Sequence, residues 1–174
     1  MEGNGAVHLF RLIHILAGAF WVGAVVFVAC FLLPSLRAVG PAAGPVMQQI
    51  AQVRKLPLVM MTAAILTILS GIALYWRDSA GFSGPWMHSG QGTVFGIGGV
   101  LAIVAAIFGM IFTSPNAKRM GALAAEMKGA GRPPTPEQVA EMQRLQERIG
   151  RFTTIVMVLV VLATAAMAVA RYVP

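Results

Sequence analysis

Four stretches of this chain, 9–33, 58–76, 93–112 and 152–173, are apolar and, apart from Arg11 and Arg171 near their outer ends, free of Asp, Glu, Lys and Arg. Each reaches the roughly 20 residues that an α-helix needs to cross about 30 Å of hydrocarbon. The 174 residues leave room for one domain, and a charged content of 11% against 57% hydrophobic lies far below the roughly 25% charge of a soluble domain. The expectation is an all-α integral membrane four-helix bundle, a single four-span domain over residues 1–174 with the lipid bilayer as its main partner. The first stretch is too long for a signal peptide, lacks a basic segment ahead of it and ends without a clean small-x-small cleavage site, so it counts as a span. The single cysteine, Cys30, excludes an intrachain disulfide and a cysteine-based iron–sulfur or zinc site within one subunit.

The basic residues are spread unevenly between the spans. Arg37, Arg54 and Lys55 lie in the first connection, and Lys118, Arg119, Lys128, Arg132, Arg144, Arg148 and Arg151 in or beside the third, so ten of the 13 share one side. Arg11, Arg77 and Arg171 occupy the other. The positive-inside rule then places both termini outside and connections one and three in the cytoplasm. The net charge of +7 is accounted for by this topology; no nucleic-acid partner is expected, because the charge flanks spans instead of forming an exposed reading surface.

The third connection predicts structure of its own. Residues 118–128 hold no breaker except Gly121, and Thr135-Pro136-Glu137-Gln138 has the form of a capping box with proline at the first helical position. Two long antiparallel helices, about 91–128 and 136–172, should therefore extend the third and fourth spans into a cytoplasmic helical hairpin over 114–151, each helix near 55 Å. Its polar end is either a docking surface or a plain soluble hairpin. In the first connection, Pro34, Pro41 and Pro45 with Gly40 and Gly44 should end the first helix, and Val46, Ile50 and Val53 suggest a short amphipathic helix that bends at Pro57. The second connection, 79–91, carries Phe82 and Trp86 as interfacial anchors.

Small-xxx-small pairs, Ala19/Gly23, Gly92/Gly96 and Ala102/Ala106, together with Gly98 and Gly99, suit either close helix packing or a clearing for a flat ring. With carboxylates absent from the spans, histidine is the main candidate for chemistry. His14 lies inside the first span and His88 just before the third, both toward the outer side; His14, Gly18 and Trp21 share one helical face with Arg11 a turn farther out. A b-type haem would use an imidazole on iron, Gly18 for ring clearance, and Arg11, Arg77 or Arg171 for the propionates. A copper site would draw on His14, His88, Met87 and His8. The structural alternative is a hydrogen bond from His14 to another helix, with His88 at the interface.

The pattern His14-(six residues)-Trp21-Val22-Gly23, with Trp86-Met87-His88 opening the third span, resembles the four-helix bacterial membrane proteins related to the copper-resistance CopD domain and the HemJ type of protoporphyrinogen oxidase. The resemblance covers about the first 110 residues. It implies a bacterial inner-membrane protein in which His14 is the haem-associated histidine and Trp86 and His88 begin a Trp-x-His-x-Lys pattern. The lysine position of that pattern is Gly90 here.

Three function classes follow. One is a haem b protein passing electrons or assisting an oxidoreductase, with quinone or a redox protein as partner. The second is a non-catalytic subunit or scaffold in a homo-oligomer or larger membrane complex. The third is copper binding or transport. A hydrolase is disfavoured, since the spans hold no Ser-His-acid set, and whether the chain is an enzyme stays open.

Overall fold

The computed structural model describes residues 3–174, with side-chain surroundings from residue 5 onward apart from Pro41. Helix α1 runs from Gly3–Phe27 through a π-helical turn, Val28–Leu32, into Leu33–Val39. A short helix, α2, covers 44–53. Helix α3 is Leu56–Asp78. Helix α4 joins Gly90–Phe108, a π-helical turn Gly109–Thr113 and Ser114–Gly129, and α5 is Pro136–Val169, closed by the 3-10 turn Ala170–Tyr172. The four helices α1, α3, α4 and α5 are long and apolar enough to cross a membrane.

Two proline expectations are corrected. Of the residues expected to end the first helix, Gly40 does so and Pro34 does not. A proline inside a helix has no N–H for the carbonyl four residues back and crowds it. The π turn just ahead adds a residue to the backbone path, and α1 runs on to Gly40, whose φ of 67° stops it. The same arrangement precedes Pro115, where Gly109–Thr113 lets α4 continue for 40 residues, about 60 Å. The bend expected at Pro57 is instead a break at Lys55, whose left-handed φ of 53° separates α2 from α3.

The long hairpin matches its sequence signals. Thr135 caps α5 by accepting the Gln138 N–H at 3.3 Å, while the Gln138 side chain accepts the Thr135 N–H at 3.1 Å. Past the apolar stretch, α4 and α5 stay side by side and are tied by Arg119 to Glu141 at 2.9 Å and by Gln138 to Glu126 at 3.3 Å. Ser89 starts α4 by accepting the Gly92 N–H at 3.1 Å.

The packing is a ring: α1 lies along α3, α3 meets α4, α4 lies along α5, and α5 meets α1. Its centre is built mainly from small side chains. Ala63 and Ala64 of α3, Ala102 and Ala105 of α4, and Val156, Val160 and Ala163 of α5 close around Val25 and Trp21 of α1, the indole being only 5% exposed. Small residues let backbones approach closely, which is where helix association gains its dispersion energy in lipid. The large side chains point outward: Leu12, Ile15, Leu16, Phe27, Phe31, Leu69, Val100 and Leu162 are all exposed, the reverse of a soluble core and the surface a hydrocarbon solvent requires.

Candidate functional site

The polar residues inside α3 are grouped, and His14 meets them. His14 Nδ1 donates to the Thr67 carbonyl at 2.8 Å, since a carbonyl oxygen only accepts. The same carbonyl accepts from the Ser70 hydroxyl at 3.1 Å, and the Thr67 hydroxyl donates back to Ala63 O at 2.7 Å. The imidazole lies over Gly71: a Cβ there would stand 2.8 Å from His14 Cε1 and 3.1 Å from Nδ1. One turn along, a Cβ on Gly18 would meet the Thr67 methyl at 3.3 Å. His14 and Gly18 thus both lie on the seam between α1 and α3, while Trp21 is buried in the centre of the ring. A glycine on each helix, Gly18 and Gly71, accepts a side chain from the other.

His88 lies elsewhere. It ends the 3-10 turn Pro85–His88, is exposed, and makes no hydrogen bond among the described residues. The helix that follows it, α4, stands across the ring from α1, so the structure does not bring His88 and His14 together on one seam. Met87 is half-buried beside it, its carbonyl accepting from Thr93 at 3.4 Å. Arg11 is exposed; Arg77 is exposed and pairs loosely with Asp78 at 3.8 Å, and Arg171 is exposed too. Among the described residues no three His, Cys, Asp or Glu side chains converge as metal ligands.

The loop before α4 is closely built. Tyr75 donates to Gly92 O at 3.1 Å and packs on Trp86 and Phe82 with ring centroids 5.3 and 6.0 Å away, and Trp86 stacks on Phe95 at 6.2 Å. Ser79 is fully buried; its hydroxyl accepts Phe82 N–H and its carbonyl accepts Gly84 N–H. Gly92 packs against the Trp86 carbonyl so closely that no Cβ fits. Gly90, the last position of Trp86-Met87-His88-Ser89-Gly90, has Val173 Cγ1 2.7 Å from any added Cβ, with the Pro174 carbonyl nearer still. A lysine there would displace residues 173–174.

A porphyrin ligated by His14 would need the space beside Gly18, and the Thr67 methyl already fills it. Two glycines of α4 are occupied in the same way, Gly96 by the Tyr75 hydroxyl at 3.1 Å and Gly98 by Ala163 O at 3.1 Å, whereas Gly99 has nothing within 4 Å of an added Cβ. As packed, the residues present do not fit a porphyrin between α1 and α3. Of the small pairs, Gly92/Gly96 and Ala102/Ala106 are used within the chain, while Gly23 has nothing within 4 Å of an added Cβ.

Sequence reasoning missed Thr67, Ser70 and Gly71 as partners of His14. The signal was present as Thr67-Ile68-Leu69-Ser70-Gly71, which brings two hydroxyls and a glycine into five residues of an apolar span. It missed Arg37 too, whose guanidinium crosses to α5, donates to Gln146 O at 2.7 Å and rests on Gly150. No protein-family model, no curated protein and no solved structure matches this chain.

Proposed function

We propose that the chain is a non-catalytic multi-pass subunit of the bacterial inner membrane. Both termini lie outside, α1, α3, α4 and α5 form a four-helix bundle in the bilayer, and the α4–α5 hairpin is presented to the cytoplasm for assembly with other proteins. One observation carries this reading: the imidazole within the spans is taken up in a contact between helices, His14 on Thr67 O, and the hydroxyls of Thr67, Ser70, Thr154 and Thr164 bond carbonyls of their own helices, while the charge is collected on the hairpin and at its base. The orientation is tested in a C30S background with single cysteines at Ser83 and Ala130. A membrane-impermeant thiol reagent on intact cells should label position 83 and spare 130, and the reverse pattern refutes the topology. Shortening 118–148 should leave the spans assembled and abolish co-purification of a complex.

A second reading, haem b on His14 with quinone or a redox protein as partner, draws on the second ring nitrogen, Nε2, which makes no hydrogen bond among the described residues while Nδ1 holds Thr67 O. It also draws on the resemblance to the CopD-related and HemJ-type proteins, and it requires α1 and α3 to part at Gly18. A reduced-minus-oxidised spectrum of protein purified after haem-replete expression decides between the two. A Soret band lost in His14→Ala establishes haem, and a featureless spectrum removes it.

A further inference from the structure

Between α1 and α3, on the surface of the ring, runs an open apolar groove of about 470 Å³. Leu16 and Phe20 form one wall and Leu58, Thr62 and Leu66 the other, with Ala17 and Ala63 as the floor. From Leu58 to Leu66 it extends eight residues along α3, about 12 Å, close to the roughly 15 Å depth of one leaflet. It ends one turn from Arg54 and Lys55, which are exposed and make no ion pair among the described residues.

We propose that this groove holds an acyl chain of an anionic phospholipid of the cytoplasmic leaflet, with the lipid phosphate at Arg54 and Lys55. The groove has the length and chemistry of a lipid tail. Its mouth carries the charge that an anionic headgroup complements, placed where the long stems of Arg54 and Lys55 reach the interface. Thr62 and Ala17 leave room by their small size: bulkier apolar side chains at both positions would fill the groove between Leu16 and Leu66. The proposal rests on the bilayer reading above.

The test is native mass spectrometry of the full chain in detergent with dioleoyl phosphatidylglycerol or dioleoyl phosphatidylcholine. One phosphatidylglycerol should bind per chain, tighter than phosphatidylcholine by between about fivefold and 25-fold, at about fivefold for each basic side chain. R54Q/K55N should abolish the preference, asparagine being suited to the left-handed φ at position 55, and A17L/T62F should weaken both lipids. Equal binding of the two lipids overturns the proposal, as does a preference that survives R54Q/K55N. A chain dimer lost in A17L/T62F would overturn it too, because a second copy would then occupy the groove. Should A17L/T62F fail to assemble, a phosphatidylglycerol with a photoreactive acyl chain, used on the unaltered protein, must cross-link within 16–20 and 58–66, and cross-linking elsewhere refutes the site. Recovery of the chain from the soluble fraction without detergent refutes the bilayer reading itself, whereas a detergent-dependent chain without lipid preference refutes only the groove.

Discussion

The seam between α1 and α3 can be interrogated with one methyl group. In Gly71→Ala, the new Cβ would lie 2.8 Å from His14 Cε1, about 0.6 Å inside ordinary contact. The imidazole must swing away, and the 2.8 Å bond to Thr67 O is lost. Interhelical hydrogen bonds in membranes contribute about 0.6 kcal/mol and at most about 1.7, and overpacking costs about 1–3 kcal/mol. Alanine recovers up to about 1 kcal/mol of helix propensity over glycine. In the unaltered background the substitution should therefore destabilise by about 1–2 kcal/mol. In His14→Ala the obstructing ring is gone and the new methyl enters the space it leaves, so Gly71→Ala should become neutral or stabilising by about 0.5–1 kcal/mol. The cycle His14→Ala, Gly71→Ala and the double variant predicts a coupling of about 1–3 kcal/mol with a change of sign. Reversible unfolding in mixed micelles, followed by far-UV circular dichroism, measures it. Equal cost of Gly71→Ala in both backgrounds would falsify the contact and the placement of His14 with it.

Gly150→Ala should push the Arg37 guanidinium off α5 and break its bond to Gln146 O, a loss of about 1 kcal/mol at this exposed site that alanine's helix propensity offsets by up to about 1 kcal/mol within α5, so the effect is read locally, as faster amide exchange over 35–39. Gly92→Ala should destabilise by about 2 kcal/mol or more, because its Cβ has no room beside the Trp86 carbonyl, with the loss visible as a changed Trp fluorescence spectrum. Thr135→Ala should cost the hairpin about 1 kcal/mol through the capping box, read as fraying of 136–140 by exchange while the spans stay protected. Glu137, outside the spanning stretch, has its carboxyl held below the ordinary glutamate value by its own backbone N–H and the Thr135 hydroxyl. Its contribution to the α5 first turn is complete at neutral pH. It is lost as pH falls below about 4.3 and through the lower folded value, so the same amides should fray on acidification, and no acid sensitivity there refutes the assignment.

Element boundaries were largely legible in the sequence where local chemistry decides them. The hairpin helices expected at 91–128 and 136–172 appear within one residue, as Gly90–Gly129 and Pro136–Tyr172, because a capping box and an uninterrupted helical period are local signals. Pro34 misled because a π turn is set by the backbone path and leaves no residue signature of its own. The site was legible as a position and not as a partnership: His14 stood out in an apolar span, but its choice of Thr67 O depends on the register of α1 against α3. That register is fixed by two glycines 53 residues apart, Gly18 and Gly71. The role of Gly90 was hidden for the same reason, since its neighbours Val173 and Pro174 come from the far end of the sequence.

The π turn at Val28–Leu32 has a consequence for which residues α1 can present to which neighbour. Counted along an unbroken helix at about 100° per residue, Arg37 falls about 120° away from the face that carries Val25 into the core. One extra residue in the turn takes back about 100° of that, leaving Arg37 about 20° from the Val25 direction and turned toward α5, where it meets Gln146 and Gly150. The turn therefore acts as a phase shifter between two parts of α1 that read different frames of the same helix. Deleting the single residue Cys30 would turn the segment into plain α-helix and leave Arg37, then eleven positions after Val25, at the same angle of about 20°. Its bond to Gln146 O should therefore survive that deletion, whereas one residue inserted between Leu33 and Leu36 would rotate Arg37 by about 100° off its partner.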